Sequence, residues 1–600
     1  MCGIAGLWAP GATDLSSEIR RMISVLPHRG PDGEGIFVEG DVAFGHRRLS
    51  IIDLDDRAAQ PMHDPTGRYV LTYNGEIYNY VELRVELERL GVRFRTESDS
   101  EVLLQAFATW GSACLPRLNG MFAFAILDRL TRHIFVARDR LGVKPLVFMH
   151  DGRRFAFASE HKALVAAGFA TGEMSPPAVY EYIARGYTSG GRSFFAGIEA
   201  LLPGHALELA SDGTLRAWEW WRPDTTPDEA PSAEAWSDSV RELVEDAVRL
   251  RLRSDVPVGA HLSGGLDSSA IVAAAARLGS PLETFTGAFP DEPDGDERSY
   301  SRAVGDRYGL VRHEIEIRID ELADTWDRLM WHLDEPIAGP GAFPQLFVCD
   351  LARRHGVKVV LGGQGGDELF GGYLRHRLLF HRSSLRTGGP VRRLRSVVAL
   401  SRLAVPELGR VRMTSARVPD SALDPGFLEL VEPAFREEVR RPRLRAASAG
   451  ELMLWDLRNY LPALLQVEDR TSMAASLESR TPLLDYRLVE LALRIPDRHR
   501  FKGAGKSLLR DAVASWLPEE VVQRRDKRGF PTPLQHWQER PALRGLVDAL
   551  VRPPGGGMNV FTPSYLEGSR RFAPSQLWSV LMINGWLTTP HTMAAVARTA

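Results

Sequence analysis

The segment VPVGAHLSGGLDSS, Val256 to Ser269, decides the fold of the second half of the chain. Its first part, through Leu262, predicts a buried strand, and the alanine-rich run from Ser268 to Leu278 predicts a helix. A glycine turn between strand and helix lets backbone N–H groups approach phosphate oxygens at the helix N-terminus. The sequence therefore predicts a phosphate loop. Because no lysine stands in it, the loop differs from the Walker A type and suits a leaving pyrophosphate.

A second glycine-rich stretch, LGGQGGDELFGGY from Leu361 to Tyr373, follows another predicted strand, Val357 to Leu361. Strands alternate with helices in this part of the chain, which is typical of parallel βαβ units. Asp367 would then share the carboxyl edge of the sheet with Asp267, where two carboxylates are suited to bind Mg²⁺ on a triphosphate. Lys506, in KGAGKSLLR, is a candidate for neutralising phosphate charge.

The chain has 600 residues, and single cores stop growing near ~250–300, so we expect at least two domains. Up to about residue 210, short strands between polar turns predict an α+β domain with a mainly antiparallel sheet. The breaker-rich stretch Arg222 to Ser232 (RPDTTPDEAPS) predicts a linker. From about residue 440 the pattern is mostly helical. The clearest further elements are strands at Tyr69–Tyr73, Met121–Leu127, His133–Ala137, Phe155–Ala158 and Glu283–Phe289, and helices at Val81–Leu90, Ser100–Trp110 and Ala235–Arg253.

Cys2 follows the initiator methionine directly, and removal of that methionine would make it N-terminal. Its own α-amino group, with a reference pKa near ~8, would then be a general base for the thiol. The motifs GHRRLSIIDL, NGEIYNY and SDSE supply its companions. Arg48 suits an α-carboxylate, Asp99 suits an α-ammonium group, and Asn74 with the Gly75 N–H suits an oxyanion. Together they predict a pocket where a thiolate attacks an amino-acid side-chain amide.

Composition excludes several classes of protein. Lys plus Arg count 74 against 77 for Asp plus Glu, so we expect no nucleic-acid partner. No uncharged apolar run reaches the ~18 residues of a membrane helix, and we expect no membrane partner and a cytoplasmic location. The three cysteines are too few for a disulfide framework.

One stretch has an unusual charge balance. Arg375 to Arg417 holds eleven arginines and a single acid, Glu407, which indicates either a solvated helical face or a docking patch.

These motifs resemble those of the glutamine-hydrolysing asparagine synthetase family, in order and spacing, from Cys2 to about residue 540. The resemblance implies an N-terminal-nucleophile glutaminase, an αββα sandwich of the α+β class, over residues 2–215. After a linker at 216–236, it implies an α/β ATP-pyrophosphatase domain with an open parallel sheet and a helical C-terminal extension, residues 237–600. Glutamine, ATP and a carboxylic-acid acceptor would be its substrates and Mg²⁺ its cofactor. The oligomeric state stays open, with a homodimer as one alternative.

The resemblance also assigns site residues. The nucleophile falls on Cys2 and the synthetase lysine on Lys506. Glutamine-binding positions are Arg48, Asn74, Gly75, Glu76 and Asp99; the nucleotide site is Leu262, Ser263, Gly264, Gly265, Asp267, Ser268, Gly287, Gly362 and Gly363; Mg²⁺–pyrophosphate contacts are Asp267 and Asp367. The implied reaction adenylates a carboxylate, releases ammonia from glutamine at Cys2, and carries it through an interdomain channel to displace AMP.

Two departures concern the acceptor. The family usually has Glu where this chain has Gln364, a neutral amide without a titratable proton acceptor. The segment Asp334 to Gln345 (DEPIAGPGAFPQ) also lacks an acid and a serine that the family leads us to expect. Three alternatives therefore stay open: an acceptor other than aspartate, a β-lactam-forming synthetase, and a non-enzymatic binding protein. The intact Cys2 pocket disfavours the second, and Cys2 with Asp267 disfavours the third.

Overall fold

The computed structural model describes residues 2–290, 296–387, 389–404, 417–441, 448–502, 505–524, 532, 540–551 and 559–589. Within the arginine-rich segment, residues 405–416 with Glu407 lie outside this description, as do residues 590–600 of the expected ATP domain.

Two antiparallel sheets form the first half of the chain. Their strands are β1 Gly3–Trp8, β2 Gly33–Glu39, β3 Val42–Arg48, β4 Met62–His63, β5 Tyr69–Ile77, β6 Gly120–Asp128, β7 His133–Arg138, β8 Val147–His150, β9 Phe155–Ala158, β10 Glu199–Ala200, β11 His205–Leu209 and β12 Leu215–Glu219. Over the described residues, one sheet has the order β10-β8-β9-β1-β3-β2 and the other β12-β11-β7-β6-β5-β4. The four strands predicted between residues 69 and 158 are confirmed.

The two sheets pack face to face. Ile4 and Phe44 of the first sheet share a buried cluster with Val70 and Ala125 of the second. Helices cover the outer faces: α1 Leu15–Ser24, α4 His161–Ala166 and α5 Pro176–Arg185 on the first sheet, and α2 Tyr80–Arg89 and α3 Asp99–Trp110 on the second. This is the expected αββα sandwich, in which each sheet buries one face against its partner and the other against helices.

A parallel sheet organises the second half. Its strands are β13 Val258–His261, β14 Glu283–Ala288, β15 Val311–Glu316, β16 Val359–Leu361 and β17 Glu478–Arg480, in the order β15-β14-β13-β16-β17. Every neighbouring pair is parallel. The strand predicted from Val256 begins two residues later, at Val258, because Pro257 has no N–H for the ladder.

Helices surround this sheet and dominate the described part of the chain after residue 448. They are α6 Ala233–Arg251, α7 Leu266–Arg277, α8 Arg298–Tyr308, α9 Glu321–Leu333, α10 Ala342–Arg354, α11 Gly366–Phe370, α12 Leu374–Thr387, α13 Pro390–Ala404, α14 Pro425–Glu429, α15 Pro433–Arg440, α16 Ala449–Asn459, α17 Leu461–Ala474, α18 Tyr486–Arg494, α19 Asp497–Arg500, α20 Ser507–Val513, α21 Glu519–Gln523, α22 Pro541–Val551, α23 Pro563–Glu567 and α24 Pro574–Leu587. The three helices predicted near residues 81, 100 and 235 are confirmed within two residues at each end.

Contacts between the two halves include both apolar and polar groups. Phe194 of the first half packs edge-on against Trp586 of α24, with ring centroids 5.4 Å apart. The residues between β12 and α6 contain neither helix nor strand, and the Asp228 N–H of this segment donates to Arg494 O at 2.8 Å. None of the helices among the described residues is both long and apolar enough to cross a membrane.

Candidate active sites

Cys2 immediately precedes β1, in the first candidate site. Its backbone nitrogen, which would be the α-amino group after loss of the initiator methionine, donates to Asn74 Oδ1 at 3.0 Å. Its Sγ lies 4.0 Å from Leu49 O. Burial raises the pKa of the Cys2 thiol, against the opposing effect of the positive chain terminus. A thiol with a raised pKa needs a base to ionise it. The α-amino group of Cys2 itself is the candidate for that base.

Asn74 and Gly75 follow one another on β5, next to Cys2. The Asn74 side chain is fully buried, and its Nδ2 donates to no acceptor among the described residues. A buried donor without a partner costs roughly 1–3 kcal/mol, so this N–H is suited to a substrate oxygen. A Cβ at Gly75 would lie 2.2 Å from Met121 O, so the close approach of β5 to β6 requires glycine at this position.

Arg48, Gly75, Glu76 and Asp99 line a cleft together with Cys2. The Arg48 guanidinium donates to Asp53 O at 2.5 Å and Asp55 O at 2.9 Å, which fixes its orientation. The sequence-predicted glutamine-binding residues are thus brought together.

Asp99 stands in the first turn of α3, whose N-cap is Ser98. Its carboxylate accepts from Tyr73 Oη at 2.8 Å and from the Ile77 N–H at 3.0 Å. Burial raises the pKa of Asp99 to about 6, and the hydrogen bonds from Ile77 and Tyr73 oppose this. The carboxylate is therefore ionised at neutral pH and loses its charge in mildly acidic solution.

Two residues of the second half reach this cleft, and sequence reasoning missed both. Glu478 lines it, and Arg480 pairs with Glu76 across the interface at 3.2 Å. Arg480 also pairs with Glu478 at 2.6 Å, and all three side chains are buried. The nearest signal was the pair of charged residues in SLESR, Ser476 to Arg480, but nothing in the sequence joins it to Glu76, some 400 residues away.

The second candidate site begins at the glycine loop after β13. Gly265 is the N-cap of α7, and Gly264 has a φ of +69° where a Cβ would lie 2.6 Å from Tyr300 Cβ. Ser263 Oγ and Ser268 Oγ lie 3.1 Å apart, which closes the loop across the first turn of the helix. The backbone N–H groups at this end of α7 are therefore presented at the carboxyl edge of the sheet.

Other predicted nucleotide-site residues lie at the same edge. The Leu262 N–H donates to Phe285 O at 3.0 Å, and Gly287 stands near the end of β14. Gly362 and Gly363 follow β16, and a Cβ at Gly363 would lie 3.0 Å from the Ser268 nitrogen. Thus the loop after β16 packs directly on the loop after β13.

Asp267, Asp367 and Lys506 converge at this edge. The Lys506 Nζ lies 2.5 Å from Asp267 Oδ2 and 2.7 Å from Asp367 Oδ1. Lys506 caps α20 with a positive φ of 60°, a conformation that is costly for a lysine and is kept here at a site of converging charge. The carboxylate oxygens of Asp267 and Asp367 are ligands of the kind that a hard divalent cation such as Mg²⁺ prefers.

Glu368, next to Asp367, is a buried carboxyl that the sequence analysis did not single out. Burial raises the pKa of Glu368 to about 7, with a further contribution from Asp367. Its carboxylate accepts a hydrogen bond from the Tyr373 hydroxyl. The Glu368 side chain is therefore held by Tyr373, the last residue of the LGGQGGDELFGGY stretch.

Gln364 and the segment Asp334 to Gln345 meet at a single carboxylate, that of Glu468. Gln364 Nε2 donates to Glu468 Oε2 at 3.3 Å, and Gln345 Nε2 donates to the same oxygen. Asp334 has a different environment, because Lys162 Nζ of the first half lies 2.9 Å from its Oδ1. The start of the altered segment therefore belongs to the interface between the halves, and only its end reaches Gln364.

Helix α17 connects the two candidate sites. Glu468 faces the loop after β16, whereas Asp469 accepts from Arg29 Nη1 at 2.8 Å. Arg29 Nε in turn donates to Cys2 O at 3.1 Å, and Arg470 pairs with Glu160 of the first half at 2.7 Å. One turn of helix thus contacts the surroundings of both sites.

Comparison with known proteins gives matches along nearly the whole chain. The sequence model of the family "Asparagine synthase" matches residues 239–588, and that of "Glutamine amidotransferase domain" matches residues 1–221. The chain is 32% identical over 565 residues to "Asparagine synthetase [glutamine-hydrolyzing] 1" of Bacillus subtilis, covering 90% of this chain and 88% of that protein. It is 34% identical over 586 residues to "Putative asparagine synthetase [glutamine-hydrolyzing]" of Mycobacterium bovis, with the same coverage.

A more distant relative has a different name. "Amidase chry2" of Gibberella zeae is 25% identical over 632 residues, covering 92% of both chains. The asparagine synthase family model matches more than half of the chain, and relatives above 30% identity cover nearly all of it. Both findings agree with the two sites just described. The protein is therefore a member of the glutamine-hydrolysing asparagine synthetase family, whose members are glutamine-dependent carbon–nitrogen ligases.

Proposed function

We propose that the protein is an AMP-forming amide synthetase that adenylates a carboxylic acid and amidates it with ammonia from glutamine. The observation that carries this proposal is the pairing of two sites through α17: a Cys2 cleft with an unfilled amide donor, and a glycine loop with the Asp267–Lys506–Asp367 cluster. We assign the glutaminase to residues 2–215, the linker to 216–236 and the synthetase to 237–600; β12 extends the second antiparallel sheet to Glu219 and α6 begins at Ala233, so the assigned linker overlaps an element at each end.

In the glutaminase, Cys2 attacks the side-chain amide of glutamine after its α-amino group takes the thiol proton. Asn74 Nδ2 and the Gly75 N–H stabilise the oxyanion of the tetrahedral intermediate. Arg48 binds the α-carboxylate and Asp99 the α-ammonium group, while Glu76 completes the polar wall. Collapse of the intermediate releases ammonia and leaves a γ-glutamyl thioester, which water hydrolyses.

In the synthetase, the acceptor carboxylate attacks the α-phosphate of ATP and pyrophosphate leaves. The N–H groups of the loop Ser263–Ser268 receive phosphate oxygens, with Gly362 and Gly363 closing the opposite side. Asp267 and Asp367 would hold Mg²⁺, which neutralises pyrophosphate charge when bound. Lys506 adds a positive charge at the same place, where the bond to the leaving group breaks.

We propose an acceptor other than aspartate, with asparagine synthesis as the alternative. Gln364 supports this, because the family's usual acid at this position is replaced by a neutral amide. The relative named an amidase, at 25% identity, supports the idea that proteins of this architecture have diverged in function.

The three cysteines form no disulfide with one another, which agrees with a reducing compartment and a cytoplasmic location.

The test is a panel of carboxylic acids, each incubated with enzyme and MgATP for ATP–pyrophosphate exchange, then with glutamine for AMP release. We expect glutamine-dependent AMP formation with at least one acid and poor turnover of aspartate, followed as asparagine. Efficient asparagine formation, saturating at physiological aspartate, would return the protein to the ordinary asparagine synthetases. Absence of exchange and of AMP with every acid, aspartate included, would contradict the synthetase itself.

A further inference from the structure

Glu468 is a buried carboxylate on α17 that neither the sequence analysis nor the proposed reaction has used. Only 5% of its surface is exposed. Its Oε1 accepts from Ser479 Oγ at 2.5 Å, and its Oε2 accepts from Gln364 Nε2 at 3.3 Å and from Gln345 Nε2. These donors come from a strand, a loop and a helix that are far apart in the sequence, so the fold converges on this carboxylate.

These three donors to Glu468 are all neutral. Burying a carboxylate among neutral donors is costly, because hydrogen bonds from amides and a hydroxyl offset only part of the lost hydration. Other acids near the synthetase site have fixed partners: Lys506 holds Asp267 and Asp367, and the Tyr373 hydroxyl holds Glu368. Within the described part of this site, Glu468 is therefore the acid that is held by two amides and a hydroxyl rather than by a cation.

The position of Glu468 is close to the expected amide-forming centre. A Cβ at Gly362 would lie 3.3 Å from Glu468 Oε1, and a Cβ at Gly366 would lie 2.3 Å from Asp267 Oδ1. The short loop between these glycines thus has Glu468 at one end and the pyrophosphate cluster at the other. On the opposite side, the next residue of α17, Asp469, holds Arg29, which contacts Cys2. Consecutive residues of α17, Glu468 and Asp469, therefore contact the synthetase loop and the surroundings of Cys2, respectively.

We propose that the Glu468 carboxylate is the proton acceptor of amide formation, in the place of the acid that Gln364 lacks. This rests on the proposed function. Ammonia attacks the carbonyl carbon of the acyl-adenylate, a C–N bond forms, and the C–O bond to AMP breaks. The nitrogen then carries one proton too many for a neutral amide, and that proton passes to Glu468. Gln364 and Gln345 orient the carboxylate through their Nε2 donors.

The experiment separates adenylation from amidation. Wild-type enzyme and the acid that gives the fastest ATP–pyrophosphate exchange are used to form the acyl-adenylate, with pyrophosphatase present, and ammonium chloride is then added. Glu468→Gln, which is isosteric, should keep exchange and glutaminase activity within about 2-fold while amide formation falls about 10²-fold, the usual contribution of a positioned base. Asp350→Asn, which removes a partly exposed carboxylate of α10 that pairs with Arg328, is the matched control and should amidate normally.

A second variant guards against a purely architectural role for Glu468. The swap Gln364→Glu with Glu468→Gln keeps a carboxylate and an amide facing each other but moves the carboxylate across a single hydrogen bond. We expect it to recover at least about 10-fold of the lost amidation, since a positioned base contributes ~10²–10⁴-fold. A swap variant as slow as Glu468→Gln would overturn the proposal.

Other outcomes are equally decisive. Wild-type amidation rates in Glu468→Gln would overturn the role of Glu468 while leaving the proposed function intact. An equal loss of exchange and amidation in Glu468→Gln would also overturn it, because the residue would then serve adenylation or folding. If the wild-type enzyme forms no acyl-adenylate with any acid, the proposed function fails first, and that result is recognisable because the control and both variants fail with it.

Discussion

The glutaminase cleft and the synthetase site differ in how their residues are brought together. In the first, Cys2, Arg48, Asn74 and Asp99 stand on neighbouring strands and one helix within the first hundred residues, and buried hydrogen bonds fix each one. In the second, four elements meet at one edge of the sheet: the loops after β13 and β16, helix α17 and the start of α20. These elements are spread over about 250 residues of the chain. The comparison shows that the first set of residues is held mainly by hydrogen bonds within one domain, whereas the second set depends on packing between elements far apart in the chain.

The largest effect is expected at the nucleophile. Cys2→Ala should abolish glutamine hydrolysis, by up to about 10⁶-fold, the order measured when a catalytic nucleophile is removed elsewhere. Synthesis from added ammonium salts should persist, since the sites are chemically separate. Product assays for glutamate and for the amide check this. Near wild-type glutamate release would place the nucleophile elsewhere, and Cys114→Ala, a buried cysteine outside the cleft, is the control.

The synthetase should fail independently of the glutaminase. Asp267→Asn removes a charge where Mg²⁺ and pyrophosphate are expected, and a loss of about 3 kcal/mol of transition-state stabilisation corresponds to roughly 10²-fold. We expect ATP–pyrophosphate exchange to collapse and glutamine hydrolysis to continue. Lys506→Ala should behave similarly. Unchanged exchange in either variant would remove that residue from the site.

The oxyanion donor gives a graded test of the first site. Asn74→Ala removes the unpartnered Nδ2 and the acceptor for the Cys2 nitrogen, and loss of one such donor typically costs about 10²–10³-fold in kcat. The measurement is glutaminase kcat at saturating glutamine. Asn79→Ala is the matched control, because its Nδ2 donates to Arg117 O at the surface. A kcat for Asn74→Ala within a few-fold of wild type would contradict the oxyanion assignment.

The smallest effect concerns pH. Burial raises the pKa of Asp99 to about 6. The ionised carboxylate is the form that binds an α-ammonium group, so kcat/KM for glutamine should fall more steeply as the pH drops through about 6, by up to a further ~10-fold per pH unit beyond the loss from protonation of the Cys2 amine. Exchange at the synthetase should not follow this limb. A glutaminase profile flat between about pH 5 and 7 would show that Asp99 does not bind the ammonium group.

The raised pKa of Asp99 has a consequence for stability with the opposite sign. The folded state holds the proton more tightly than the unfolded chain, so this group favours folding fully below the unfolded value near ~3.9. That contribution is lost as the pH rises through about 6. Above this pH the buried, ionised Asp99 lowers the free energy of unfolding, and the same charge is what an ammonium group requires.

Local patterns allowed much of the fold to be predicted. Alternation of β-formers located the strands at residues 69, 121, 133 and 155, and the strand–glycine–helix pattern located the phosphate loop. The predicted boundaries were less accurate. Strand β13 begins at Val258, two residues after its predicted start, because of Pro257. Helix α7 begins at Leu266, two residues before its predicted start at Ser268, with Gly265 as its N-cap. Such limits depend on backbone hydrogen bonding, which residue patterns represent only indirectly.

The sequence by itself pointed to the candidate groups of both sites, because a thiol at position 2, a glycine loop and two aspartates are recognisable from residue type, spacing and the family resemblance. Only the tertiary structure decided their surroundings. It placed Glu478 and Arg480 against the glutaminase cleft, assigned Asp334 to the interface through Lys162, and set Glu468 beside Gln364. These contacts join residues up to several hundred positions apart, and charge complementarity across an interface leaves no periodic trace in either partner.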